Sequence, residues 1–371
     1  MLPLSGIKVL DFSTLLPGPL ATLIMAGAGA EVTKVERPGS GDEMRSYEPK
    51  LGESSVNFAL LNRGKRSVAL DLKDPAQREQ LDALVDECDV LVEQFRPGVM
   101  ARLGLDYESV AARNPGVVYC SISGYGQSGP RAQQAAHDLN YVADSGMLNL
   151  VQGADGAPVL PPALLADIGG GSYPAVINVA LALFARERSG KGTHLDIAMS
   201  DNVYPFLYWA LGNAATGTWP RSGEELVTGG SPRYQVYRTA DGRHLAAAPL
   251  EDRFWTRFCE LIELPKPLRD ADADPQQAIA AVAERIAAQP AAHWRQLFAA
   301  EDVCCTIVAG LPEALADEHV ASRGLFDDSV GDGDQQIPAL PLPLAATLRD
   351  QRGHSTYPAL GEGNSTLLGG N

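Results

Sequence analysis

Two side chains of this sequence have the types and settings that proton chemistry asks for. His137 stands in Ala136-His137-Asp138-Leu139-Asn140-Tyr141, and Asp167 in Ala166-Asp167-Ile168-Gly169-Gly170-Gly171-Ser172. One supplies an imidazole and the other a carboxylate, groups that commonly act as general acids and bases. Asp167 follows the apolar segment Pro161-Pro162-Ala163-Leu164-Leu165 and precedes three glycines and a serine that open a long apolar run. A carboxylate at a helix N-terminus lies beside unpaired backbone N–H groups, and glycines there let a ligand come close to the backbone. Taken alone, the same pattern fits a helix N-cap at Asp167 and a satisfied surface histidine at 137, because short motifs are permissive.

The elements that must carry these residues follow from periodicity. Apolar runs predict strands over 7–12, 31–36, 67–72, 90–95, 117–123 and 193–198, interleaved with helical spacing over 20–28, 74–88, 99–103 and 107–113. A long helix over 169–188 closes at Ser189-Gly190-Lys191-Gly192. Strands alternating with helices predict an α/β fold, a Rossmann-like large domain whose parallel sheet carries ligand loops at the strand C-termini. Arg37, Arg96 and the loop 124–130 each follow a strand and are expected to share one edge. The loop Leu16-Pro17-Gly18-Pro19 lacks the G-x-G-x-x-G pattern, so neither NAD nor FAD is assigned. Beyond a helix over 200–215 and a polar, glycine-containing linker over 217–231, a hairpin turning at Asp241-Gly242 and helices over 253–262 and 276–288 predict a smaller α+β domain. The expected division is 1–200 for the large domain, 201–224 for a helix and linker, 225–322 for the small domain, and a proline-rich strap over 323–371 with mobile final residues.

A formal net charge of -16 on 371 residues argues against nucleic acid or an anionic membrane as partner. A local cluster of cations can still hold an anionic small molecule. Arg63, Lys65, Arg66 and Lys73, around the third strand, fit either a polyanion site such as one for nucleotide phosphates or a solvated turn. Cys88, Cys120, Cys259, Cys304 and Cys305 show neither pairing nor metal-type spacing and read as reduced, mostly buried thiols, with no metal expected. The start, Met1-Leu2-Pro3-Leu4-Ser5-Gly6, runs straight into a strand, and the apolar stretch around 175–185 is too short to span a bilayer before Arg186, Glu187 and Arg188. A soluble, cytoplasmic protein is expected. His194, His244, His293, His319 and His354 lack partner spacing and read as surface or packing residues, while Phe206, Tyr208 and Trp209 read as core or interface.

Several segments together carry a family resemblance. They are Leu4-Ser5-Gly6-Ile7-Lys8-Val9-Leu10, Lys34-Val35-Glu36-Arg37-Pro38-Gly39, Asn62-Arg63-Gly64-Lys65-Arg66, Arg96-Pro97-Gly98-Val99, Gly124-Tyr125-Gly126-Gln127-Ser128-Gly129-Pro130, Ser189-Gly190-Lys191-Gly192 and Thr239-Ala240-Asp241-Gly242. In this order and spacing the chain resembles the family III CoA-transferase superfamily and, within it, the α-methylacyl-CoA racemases. The resemblance implies an interlocked homodimer in which each subunit has a large and a small domain and the chain end returns to the large one. It implies an active site between the large domain of one subunit and the small domain of the other. It also implies an acyl-CoA thioester as substrate, with no permanently bound cofactor. Arg37, Leu70, Asp71, Leu72, Lys73 and Arg96 would contact the nucleotide end of coenzyme A, and Asn140 and Tyr141 are candidates for lining the thioester pocket.

The resemblance also assigns roles. In the transferases the position of Asp167 is a nucleophile that forms an anhydride and then a thioester. In the racemases the same carboxylate is a general base working opposite a histidine held by a glutamate, and His137 and Glu251 fall at those positions. Epimerising a carbon next to a thioester carbonyl needs a base on one face and an acid on the other. The enolate oxygen needs donors, which the backbone N–H groups at Asp167 and the following turn are expected to supply. In a transferase His137 would be idle. The expected function is therefore epimerisation of the α-carbon of a 2-methyl-branched acyl-CoA, with CoA transfer through Asp167 as the alternative. Ala136 and Pro249-Leu250-Glu251-Asp252 depart from the racemase pattern, and Thr228-Gly229-Gly230-Ser231 fits a transferase-type lid.

Overall fold

The six predicted apolar runs pair into one parallel sheet in the computed structural model, which describes residues 1–153, 155–350 and 353–368. The strands are β1 (Lys8–Asp11), β2 (Glu31–Glu36), β3 (Arg66–Ala69), β4 (Val90–Glu93), β5 (Val118–Ser123) and β6 (Thr193–Ala198), in spatial order β3-β2-β1-β4-β5-β6. β4 and β5 are buried along their whole length, as strands covered on both faces must be. The crossovers carry α1 (Pro17–Gly27), α2 (Val56–Asn62), α3 (Pro75–Glu87), α4 (Val99–Arg102) and α5 (Tyr107–Arg113). Pro17 opens α1 and Pro75 opens α3, where a missing N–H costs nothing. Strand order reverses between β1 and β4, so the connections after them leave on opposite sides and open a crevice at their C-terminal ends.

Two further helices complete this part: α6 (Asp138–Asp144) and α7 (Tyr173–Ser189). The helix expected from 169 starts earlier and differently, as a wide π-type turn over Leu165–Ser172 that runs into α7. Such turns are uncommon and concentrate at functional sites. The run Ala166–Ser189 is long and apolar enough to cross a membrane, so the expectation of too short a stretch fails on length. α7 nonetheless buries Ala175, Val179, Ala182 and Leu183 and packs on β5 and β6, while Tyr173, Ile177, Leu181 and Phe184 form an exposed apolar stripe.

Of the four cations around the third strand, Arg63 and Lys65 are committed inward, which withdraws those two from a polyanion site, while Arg66 and Lys73 are exposed. Lys65 is buried, its Nζ 3.1 Å from Asp11 Oδ2 and within hydrogen-bond distance of Pro19 O, Thr22 Oγ1 and Asn62 Oδ1. Arg63 donates to the carbonyls of Leu60 and Leu340, and Arg66 pairs with Glu31 at the surface. A second buried pair joins Lys34 and Asp42 at 3.0 Å. Burial alone would push the Asp11 carboxyl up, but Lys65 and Lys34, with Ser13 and Thr22, outweigh it and hold it well below the usual carboxylate range. Removing one partner strands the other charge in the interior. Lys65→Met should therefore cost about 3–5 kcal/mol in urea unfolding, and Asp11→Leu added to it should recover part of that loss. A loss below about 1 kcal/mol, the size typical of a surface pair, would show that the buried pair is not a stabilising tie.

The chain forms two compact units, residues 1–145, 161–206 and 323–371 in one and 146–160 with 207–322 in the other. This corrects the expected continuous block 1–200, because 146–160 belongs with the smaller unit, and so does α8 (Tyr208–Ala215). In the second unit β7 (Gln235–Arg238) and β8 (His244–Ala247) form the expected hairpin, and β9 (Cys305–Ile307) adds an antiparallel edge that the sequence did not announce. α9 (Asp252–Leu261), α10 (Pro275–Ala287) and α11 (Ala291–Phe298) surround a core of Trp255, Phe258, Val282, Ile286, Trp294 and Phe298.

The segment after residue 323 is not a plain extended strap. β10 (Ser329–Asp332), β11 (Gln335–Pro338) and β12 (His354–Ser355) form a small sheet in the first unit. The Asn364 side chain then clamps Ala69 of edge strand β3, accepting from its N–H at 2.9 Å and donating to its carbonyl at 3.0 Å. This covers an edge that would otherwise be open to pairing. The expected mobility of the chain end falls on residues 369–371, outside the described residues.

Candidate active site

A cleft of about 390 Å³ opens at the reversal of strand order, walled entirely by the first unit. Leu15 and Leu16 come from the loop after β1, Pro17 from the start of α1, Gln94, Phe95, Arg96 and Pro97 from the loop after β4, and Met199 directly follows β6. His137, Asn140, Tyr141 and Asp167 line the same space, so the imidazole and the carboxylate singled out in the sequence share one cleft.

Asp138 couples the elements that carry them. As the first residue of α6 it is buried, and its Oδ1 accepts the N–H of Ala166 at 2.7 Å and of Asp167 at 2.9 Å. One carboxylate thus ties the turn bearing Asp167 to the helix that His137 caps. The consequence contradicts an expectation: with the Ile168 N–H donating to Leu164 O, the N–H groups of 166, 167 and 168 are all engaged, so Asp167 N–H is not an oxyanion donor. Gly170, likewise, makes room for protein rather than ligand, since a Cβ there would come 2.5 Å from the Met199 carbonyl oxygen.

The electrostatics of the pair are uneven. Burial raises the Asp167 carboxyl, the neighbouring Asp138 raises it further, and His137 opposes them, leaving it at about 6. That is the range a general base needs near neutral pH. His137 is exposed in the single chain, and its backbone N–H donates to Asn140 Oδ1 at 3.0 Å, which fixes the start of α6. Tyr141 is buried, with its hydroxyl donating to Ala136 O at 2.9 Å, so it shapes the 136–141 segment and presents little free polarity to a ligand.

The residues proposed for the nucleotide end separate. Arg96 lines the cleft, and its guanidinium makes no hydrogen bond or ion pair with any described residue. Arg37 follows β2, exposed, with Nε donating to Ser40 Oγ. Leu70 is 3% exposed in the core, so its side chain is unavailable to a ligand. Asp71, Leu72 and Lys73 form the turn after β3, where Asp71 Oδ1 accepts the Lys73 N–H. Arg37 and 70–73 do not line the cleft. Glu251 precedes α9 in the second unit and is exposed. Among the described residues no group of three or more His, Cys, Asp or Glu is placed to hold a metal ion.

Sequence reasoning missed Leu15, Leu16, Gln94 and Phe95. Leu15 holds a left-handed backbone, φ 61°, that a leucine adopts only under constraint. The constraint is visible: its N–H donates to Asp42 Oδ1 at 3.2 Å, and Ser13 O accepts from Lys34 Nζ at 2.6 Å. Gln94 Oε1 accepts the Gly18 N–H in the first turn of α1. The available signal was positional, since loops following strands at a reversal of order bind ligands, but strand order is not written locally.

A family model described as CoA-transferase family III matches residues 4–364. Alpha-methylacyl-CoA racemase of Mus musculus is 35% identical over 372 residues, covering 98% of this chain and 92% of its own. Acetyl-CoA:oxalate CoA-transferase of Acetobacter aceti is 34% identical over 357 residues, covering 92% and 89%. The crystal structure of a CAIB/BAIF family protein from Brucella suis matches with a TM-score of 0.83 at 29% identity, over 99% of this chain and 98% of that one.

Proposed function

The chain belongs to CoA-transferase family III, and from that premise we propose that it epimerises the α-carbon of a 2-methyl-branched acyl-CoA thioester. The observation that carries this reading is the convergence of His137 and Asp167 on one cleft, with the Asp167 carboxyl near 6. Ionised Asp167 takes the α-proton, and the electron pair of the C–H bond moves onto the thioester oxygen as an enolate. Protonated His137 then returns a proton to the same carbon from the other side, which inverts it; the reverse direction exchanges the two roles. Arg96, without an ion-pair partner among the described residues of a strongly acidic chain, supplies a cation for the phosphates of coenzyme A. The reading gives Glu251 the role of orienting His137.

CoA transfer remains the second reading, because relatives named as transferases stand at almost the same identity as those named racemases, and Asp167 alone suffices for it. In that reaction the carboxylate attacks the thioester carbonyl to form a mixed anhydride and releases the CoA thiolate, which attacks the aspartyl carbonyl and expels the first acid. A second acid then displaces the thiolate as a new anhydride, and the thiolate takes that acyl group and frees Asp167. A homodimer is part of the proposal. The exposed stripe Ile177, Leu181 and Phe184 in the first unit, and exposed Tyr208, Leu211 and Trp219 in the second, are apolar surface of the kind that association covers.

The deciding experiment is deuterium incorporation at the α-carbon of a 2-methylacyl-CoA in D2O without added free acid, read by mass spectrometry. Wild-type exchange supports epimerisation. CoA transfer to an added carboxylic acid without α-exchange would replace it with the second reading. Arg96→Ala should raise the KM for the thioester about tenfold or more, the size of one charge-assisted phosphate contact.

A further inference from the structure

Behind the cleft, on the sheet face packed against Leu81 and Val85 of α3 and Val110 of α5, the parallel register places Glu93, Ser121 and Asp196 in one row across β4, β5 and β6. The preceding row holds Leu91, Tyr119 and His194. Glu93 is 4% exposed, and its Oε2 accepts the N–H of Phe95 at 2.8 Å. Asp196 accepts the N–H of Gln127 on both carboxylate oxygens, at 3.1 and 3.0 Å. Ser121 lies between them in the row, its hydroxyl 3.0 Å from His194 Nε2, while the His194 ring stacks on Tyr107 at 5.2 Å. Gly126, at φ 84°, supplies the left-handed backbone on which the loop after β5 turns.

Each carboxylate therefore anchors one loop above the sheet, Glu93 the loop 94–97 and Asp196 the loop 124–130. Arg96 stands on the wall of the cleft and also of a cavity of about 110 Å³ behind it, where Glu93, Ser121, Gln127 and His194 lie and where Asp106 and Glu108 contribute further acid groups. None of these acids is ion-paired to Arg96. The Glu93 hydrogen bond acts on the backbone that carries Arg96, and the Asp196 hydrogen bonds act on Gln127, which shares the wall of the smaller cavity with Arg96. A binding side chain stays in place only when the groups behind it are themselves held.

We propose that Glu93 and Asp196 are positioning residues for coenzyme A: Glu93 holds the Arg96 backbone through the Phe95 N–H, and Asp196, through the Gln127 N–H, holds the loop 124–130 that walls the same small cavity as Arg96. The inference rests on the reading of the cleft as a CoA-thioester site.

The test is calorimetric titration of the full-length protein with coenzyme A, alongside α-deuterium exchange at saturating 2-methylacyl-CoA. Glu93→Ala and Asp196→Ala should each weaken coenzyme A about tenfold and leave the saturated exchange rate within about twofold. Glu93→Gln and Asp196→Asn keep an oxygen for the backbone N–H and should restore the affinity. Arg96→Ala should weaken coenzyme A, and Glu93→Ala placed on that background should add nothing, because both act through one contact. Should the Glu93 variant fail to fold, Asp196 on the exposed edge strand carries the same test. Wild-type affinity in Glu93→Ala and Asp196→Ala, with Arg96→Ala weakened, overturns the inference alone; so does a saturated rate that falls as far as the affinity. Wild-type affinity in Arg96→Ala overturns the reading of the cleft itself.

Discussion

Asp167→Asn should lower α-proton exchange by about 10²–10⁴ and abolish CoA transfer as well, because the carboxylate is the base in one reaction and the nucleophile in the other. The substitution keeps the shape of the side chain and leaves the backbone N–H of 167 free to donate to Asp138, so the turn over Leu165–Ser172 should persist. In the wild type, exchange should rise with pH through about 6 as Asp167 ionises. The sign for stability is the opposite. Burial and Asp138 raise the carboxyl above its value of 3.8, so the folded protein holds this proton more tightly than the unfolded chain does. The resulting stabilisation is present below 3.8 and is lost as the pH climbs through about 6. Asp167→Asn should therefore melt higher than the wild type at pH 8 and no higher at pH 3.5, as followed by differential scanning calorimetry. An inactive variant that is also less stable at pH 8 would mean that Asp167 is a structural cap and not a strained functional group.

His137→Ala should divide the two readings of the cleft. Loss of the acid on the opposite face should cost about 10²–10⁴ in racemisation, while CoA transfer, which asks nothing of an imidazole, should stay near the wild-type rate. The fold should tolerate the change, since His137 is exposed in the chain and the start of α6 is held by its backbone N–H to Asn140 and by the buried Asp138. Following both products matters. Racemisation at near-normal rate in His137→Ala would end the two-base mechanism, whatever Asp167 does. Loss of racemisation with retained wash-in of deuterium would instead support a division of labour, with Asp167 serving one face alone.

The two halves of this site were legible to different degrees. His137 and Asp167 were visible because their neighbours are unusual: a polar segment ending in Asn140-Tyr141, and a carboxylate wedged between an apolar stretch and three glycines. The task of Asp138 was not visible. Sequence shows it beside His137, but its carboxylate acts on residues 166 and 167, and only folding brings those N–H groups within 2.7 and 2.9 Å. The same holds for the glycines, whose spacing suggested ligand contact and which at Gly170 serve the close passage of Met199.

Charge shows the limit most plainly. Sequence left Arg63, Lys65 and Arg66 open between a polyanion site and a solvated turn, while the resemblance alone gave Arg96 to coenzyme A, and nothing local distinguishes these cations. Lys65 lies in the interior against Asp11 because β3 and β1 are separated by only one strand, whereas Arg96 follows β4 at the reversal of order and lines a cleft, with no ion-pair partner among the described residues. Hydrophobic periodicity is a local property, and by itself it determined the six strands, most of their helices and the α/β class. Which charge is buried, which loop holds a strained leucine and which carboxylate anchors which backbone depend on strand order and register. These are non-local, so only the tertiary structure decided them.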